Sequence, residues 1–109
     1  MTNYILLYSG GSMPESEAEQ KMILNDWNAW FAKLGSAVVD QGNPFTPMVK
    51  NIASDGRVSD GPDGMMMASG YSIIKADSLD SAVAMARGCP VPKSGAKISV
   101  FETFNAMGM

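Results

Sequence analysis

Apolar positions in this chain recur with two periods, and each change of period marks a new element. Residues 3–8 read Asn-Tyr-Ile-Leu-Leu-Tyr, a short apolar and aromatic run that stops at Gly10-Gly11. Such a run predicts a strand buried on both faces. A helical period follows. Ile23, Trp27, Trp30, Phe31 and Leu34 share one stripe of a helix over residues 15–34, and Glu17, Gln20, Lys21 and Asn28 fall largely elsewhere. Its start has two candidates. Ser12-Met13-Pro14 places proline where its missing N–H is not needed, and Ser16 with Glu19 has the spacing of a capping box. Gly35 supplies the stop.

Ala37-Val38-Val39 then predicts a short strand, ending at Gln41-Gly42-Asn43-Pro44. Residues 45–64 are irregular. Pro44 and Pro47 limit regular structure, residues 48–53 alternate weakly, and Asp55-Gly56 is a two-residue hairpin signal with Arg57-Val58-Ser59 as the returning arm. Asp60-Gly61-Pro62-Asp63-Gly64 is a dense turn cluster, and residues 65–68 have no assignment. Regular pattern resumes at Gly70-Tyr71-Ser72-Ile73-Ile74-Lys75-Ala76, a strand. Ser78 caps a second helix with Leu79, Ala82, Val83 and Ala86 as its stripe, and Gly88-Cys89-Pro90 ends it. After a loop at 92–95, residues 97–104 alternate Ile98, Val100 and Glu102 against Ser99, Phe101 and Thr103, a last strand. Residues 105–109 are expected to form a loose tail.

The order is strand–helix–strand, a hairpin insert, then strand–helix–strand. It predicts one α+β domain over residues 1–109, a ferredoxin-like split βαβ with an antiparallel sheet and both helices on one face. The other face would carry tyrosines, isoleucines and Phe101, too apolar a surface to leave in water. A second copy packed sheet to sheet would bury it, so a homodimer is expected.

Composition narrows the chemistry. The 109 residues are 46% hydrophobic, enough for one core. A folded chain of this mass should expose roughly 5,800 Å². Histidine is absent, which removes His-ligated zinc and haem, Ser-His and Cys-His pairs and histidine bases. The single cysteine forbids an intrachain disulfide, a zinc knuckle or an iron–sulfur cluster. No metal and no cofactor is expected. Eight basic against eleven acidic residues, with no basic run, argue against nucleic acid. No apolar stretch approaches the ~20 residues that span a bilayer, so a soluble cytoplasmic protein is expected, away from membranes. The ten methionines lack regular spacing and read as core filling.

Several motifs, in order, resemble those of YCII-related proteins, in the branch marked by an Asp-Gly-Pro-Phe turn. They are the start Asn-Tyr-Ile-Leu-Leu-Tyr, Asp55-Gly56-Arg57-Val58, Asp60-Gly61-Pro62, Gly70-Tyr71-Ser72-Ile73-Ile74, Leu79-Asp80-Ser81-Ala82 and Gly88-Cys89-Pro90. The resemblance covers nearly the whole chain and implies a dimeric α/β-barrel. Some YCII-like proteins carry a first-helix histidine paired with an aspartate; this chain has none, so that dyad does not transfer. Asp60 is the acidic position the resemblance carries over, and Asp63 stands where the turn's phenylalanine would be.

Candidate site residues follow. Asp60 is either a carboxylate at a pocket mouth, acting as a base or ligand acceptor, or a turn residue bonding its own backbone. Asn25, Trp27, Asn28 and Trp30 crowd the first helix. They suggest either a cofactor-free oxygenase site or two tryptophan core anchors beside solvated asparagines. Tyr4, Tyr8 and Tyr71 line a pocket if they face away from the helices and are core if they face them. Cys89 follows a helix end, where the dipole raises a thiol pKa, so a reactive thiolate is not expected. Gly10-Gly11-Ser12 before a helix is a faint anion-site pattern. The expected function is binding of a small apolar or aromatic molecule in a pocket between the sheet and the hairpin insert of a homodimeric α/β-barrel, with Tyr8, Trp27, Trp30, Asp60 and Tyr71 as ligand contacts and Asp60 as the candidate catalytic group. A cofactor-independent monooxygenase or isomerase, and an interaction module acting through its dimer surface, are the alternatives. A pocket filled by residues 65–67 would favour the last.

Overall fold

The computed structural model describes residues 1–10, 16–46, 48–61 and 68–105. Among these described residues, six strands and two helices occur in chain order: β1 (Thr2–Ser9), α1 (Glu17–Leu34), β2 (Val38–Asp40), β3 (Lys50–Ile52), β4 (Val58–Asp60), β5 (Ala68–Ala76), α2 (Leu79–Ala86) and β6 (Lys97–Glu102). Four of the strands form one antiparallel sheet in the order β2-β5-β1-β6. Each helix therefore joins two strands that have a third between them, as a ferredoxin-like α+β fold requires. The predicted hairpin is present as the separate pair β3–β4.

Local chemistry sets the helix ends. Ser16 is the N-cap of α1, its hydroxyl accepting from the Glu19 N–H at 3.1 Å, so the capping-box start holds. The Pro14 alternative lies outside the described residues. Gly35 ends α1 with φ 58°, and its N–H returns to the Phe31 carbonyl. Ser78 caps α2 in the same way, accepting from the Ser81 N–H at 3.1 Å.

Register decides the faces. Tyr4, Leu6 and Tyr8 of β1 lie opposite Ile74, Ser72 and Gly70 of β5 and opposite Glu102, Val100 and Ile98 of β6. These positions turn toward the helices. Tyr4, Leu6, Tyr8, Ile74, Trp30, Ala82, Ala86 and Cys89 form the core there, with Trp27, Phe31 and Leu34 packed against it. The alternate set, Ile5, Leu7, Tyr71, Ile73, Ser99 and Phe101, lies on the sheet's open face. Ile5 and Leu7 are only half-buried. Burial of β1 on both faces is thus not reached within one chain, because both helices cover the same side.

Other boundaries differ from expectation for identifiable reasons. Ala37 closes a 3-10 turn (Gly35–Ala37) and β2 runs one residue later. β5 begins two residues before Gly70, where Ala68 pairs with Ser9 across a bulge. The hairpin loop is three residues, not two: Ala53 and Arg57 pair across Ser54, Asp55 and Gly56, with Gly56 at φ 88°. Residues Val91–Ser94 make a 3-10 turn, and β6 stops at Glu102. Just beyond it, the Thr103 N–H and hydroxyl both donate to the Asn3 carbonyl.

Candidate functional site

The expected site residues fall into three places. On the helix side, Tyr8, Trp27 and Trp30 come together. Strand parity turns Tyr8 toward α1, and the helical stripe turns the tryptophans toward the sheet. Tyr8 and Trp27 meet edge to face at 5.5 Å, and Trp27 meets Trp30 at 5.7 Å. The Trp30 indole N–H donates to the Met85 carbonyl at 3.0 Å, tying α1 to α2. The Tyr8 hydroxyl donates to Ser72 Oγ at 2.7 Å, and Ser72 Oγ donates to the Gln41 carbonyl at 2.8 Å. The buried Cys89 thiol points at the Tyr8 oxygen at 4.0 Å. This is a filled polar chain inside the core. Asn25 and Asn28, which the oxygenase reading needs beside the tryptophans, are exposed.

Burial pushes the Tyr8 phenol well above its ordinary value near 10, and pushes the Cys89 thiol up as well. The folded chain therefore holds both protons after the unfolded chain has released them. Stability should be level through neutral pH, fall above about pH 9 as the unfolded thiol ionises, and fall faster above about pH 10. Tyr8→Phe should cost about 1 kcal/mol at pH 7. It should also flatten the alkaline limb, read by urea unfolding across pH 7 to 11. An unchanged slope in the variant would show that Tyr8 is not the group responsible.

On the open face, Tyr71 has different company. Phe45 stacks on its ring at 5.8 Å, and the Tyr71 hydroxyl donates to Asp40 Oδ2 at 3.4 Å. The other carboxylate oxygen, Oδ1, accepts from the Gly42 N–H at 2.8 Å. Residues 41–45 continue along the β5 edge through the Pro44–Gly70 bridge and the Phe45 N–H to Ser69 carbonyl bond at 2.8 Å, which holds Phe45 over Tyr71. Asp40 and Phe45 were not among the residues expected from sequence. The Asp40-x-Gly42 spacing of a side-chain turn is legible there, but its place beside Tyr71 is not.

Asp60 lies in the third place, at the base of the hairpin. Its carboxylate pairs with Lys50 at 3.4 Å, with the two side chains 83% and 74% exposed. Met48, Val49, Lys50, Asp60 and Gly61 line a shallow depression open to solvent. The structure does not bring Asp60 together with Tyr8, the tryptophans or Tyr71. Asp63, the Gly11-Ser12 turn and residues 65–67 lie outside the described residues. Among the described residues, no three His, Cys, Asp or Glu side chains converge to hold a metal ion. No helix among them is long and apolar enough to cross a membrane.

The chain has the fold of 5-chloro-2-hydroxyhydroquinone dehydrochlorinase (TftG) from Burkholderia phenoliruptrix AC1100, solved in complex with 2,5-dihydroxybenzoquinone. The match has a TM-score of 0.53 and 18% sequence identity, covering 96% of this chain and 97% of that one. No family model matches the sequence, and no curated protein matches it.

Proposed function

We propose that the chain acts as a homodimer of the YCII-related type and holds a small, flat apolar or aromatic molecule against the open face of its sheet. One observation carries the reading. Among the described residues no helix lies over the face bearing Ile5, Leu7, Tyr71, Ile73 and Phe101, and Phe45 stands on Tyr71 at its edge. On this face Phe101 is 47% exposed and Ile5, Leu7, Tyr71 and Ile73 are half-buried, so apolar side chains meet water there. A standard interface takes roughly 800 Å² from each partner.

The fold likeness to a protein holding a dihydroxybenzoquinone supports a ligand of that size and flatness, and the ordered motifs support the YCII-related assignment. The Tyr8–Trp27–Trp30 cluster serves as the packed backing of the sheet, and Asp60 lies apart from it on the hairpin.

Sedimentation equilibrium at micromolar concentration should give about 23 kDa, twice the 11.6 kDa chain. Ile73→Asp puts a charge at the centre of the apolar face and should give the 11.6 kDa species while the circular dichroism of the fold persists. A screen of flat aromatic molecules by thermal shift should raise Tm in the wild-type protein and not in Ile73→Asp. A wild-type monomer, or binding indifferent to Ile73→Asp, would overturn the reading.

A further inference from the structure

A regular ladder from the Val38–Ile74 pair would set Asp40 opposite Ser72, on the helix side. Asp40 instead pairs with Ile73, because one extra residue of β2 is accommodated in a bulge. The bulge turns the carboxylate to the open face, beside Tyr71. Bulges re-aim side chains in this way, often next to functional sites.

We infer that Asp40 is the polar anchor of the ligand site and accepts a hydrogen bond from the hydroxyl of a neutral phenolic ring packed beside Phe45 and Tyr71. This rests on the small-molecule reading above and names the ligand's chemical class.

The carboxylate is held in place and still has capacity. The Gly42 N–H fixes Oδ1 at 2.8 Å, whereas the Tyr71 hydroxyl reaches Oδ2 at only 3.4 Å. Ionised, the group can only accept hydrogen bonds, with about four lone-pair directions, of which two are used. Among the described residues no Lys or Arg forms an ion pair with Asp40; the salt bridges there join Lys50 to Asp60 and Arg57 to Asp55. A ligand donor would therefore meet an exposed carboxylate with no cation paired to it, and a charge-assisted bond is roughly twice as strong as a neutral one.

The surroundings select the rest of the ligand. The Phe45 and Tyr71 rings lie 27° apart and present apolar surface to a flat ring, with Ile73 next along the strand. A carboxylated ring would be repelled by Asp40. The open-face cation on β5, Lys75, is four residues from Tyr71, roughly 13 Å along the strand. A ring whose hydroxyl is methylated offers no donor and would leave the carboxylate desolvated without a partner.

The test uses the full chain and two redox-stable probes, 4-methylphenol and 4-methylanisole, titrated into 15N-labelled protein. The wild type should bind 4-methylphenol at least tenfold more tightly, with the largest shifts at the Asp40, Phe45 and Tyr71 amides. Asp40→Ala should remove the preference. Asp40→Asn keeps an oxygen for the Gly42 N–H and so preserves the loop, and it should reduce the preference at least threefold. Equal binding of the two probes at these amides, with both variants unchanged, overturns the role of Asp40 and leaves the small-molecule reading standing. Shifts confined to other residues also overturn it. If neither probe binds the wild type, both readings fall.

Discussion

Gly42→Ala is expected to cost about 3 to 5 kcal/mol of stability, among the largest losses any single substitution here can cause. Two independent penalties meet at this residue. Its φ is +75°, a conformation that costs an L side chain about 1 to 2 kcal/mol. Its Cβ would also collide with the Tyr71 carbonyl oxygen and stand 2.6 Å from the carbonyl carbon. Those are backbone atoms of a central strand and cannot swing aside. The loop would have to lift, breaking the Ser72 Oγ to Gln41 carbonyl bond and the Tyr71 N–H to Asn43 carbonyl bond. Gly56→Ala is the matched control. It has φ +88° with nothing within 4 Å, so it should cost only about 1 kcal/mol. Urea unfolding of both variants separates strain from collision. Equal losses would show that the loop's close approach to β5 does not matter. The Gly42 variant should also lose any preference for phenolic probes, since the N–H that fixes Asp40 moves with the loop.

Trp30→Ala should be comparably severe, about 3 to 5 kcal/mol. Trp30 is 4% exposed, meets Trp27 and Phe31 at 5.7 and 5.0 Å, and donates to the Met85 carbonyl. Gly88 leaves the indole its room, since a Cβ there would sit 3.2 Å from Trp30 Cδ1. Trp30→Phe retains a ring and gives up the N–H bond, so it should cost about 1 to 2 kcal/mol. The pair also distinguishes two roles. As a core anchor behind the sheet, Trp30 should lower Tm when changed to Phe and leave the Kd of an open-face ligand unaltered. A Phe variant of normal stability with a tenfold weaker Kd would move Trp30 from the core to the binding site.

Tyr8 and Tyr71 show why the site was only partly legible. Both lie on strands that the apolar pattern predicts, and both are aromatic residues next to a glycine or serine. Their faces are opposite because Tyr8 pairs with Gly70, one position from Tyr71. Nothing within either strand states that offset; it comes from the pairing across 61 residues of intervening chain. Trp27 and Trp30 were easier, since a helical stripe must face whatever the helix packs on. The turn motif marks Asp60, whose side chain the hairpin holds in solvent. Nothing in the local sequence marks Asp40 as a site residue, because its place beside Tyr71 depends on a bulge.

Sequence alone determined the elements, their order and several of their ends. Caps at Ser16 and Ser78, the stop at Gly35 and the turn at Gly56 act over a few residues, so the local chain contains the whole cause. It also excluded histidine chemistry and an intrachain disulfide. Tertiary structure alone decided which tyrosine faces the helices, that Phe45 returns to cover Tyr71, and that Asp40 joins them. The reason is the two-residue period of a strand: a single-residue shift in pairing moves a side chain to the other face, and that shift is set by contacts with distant strands.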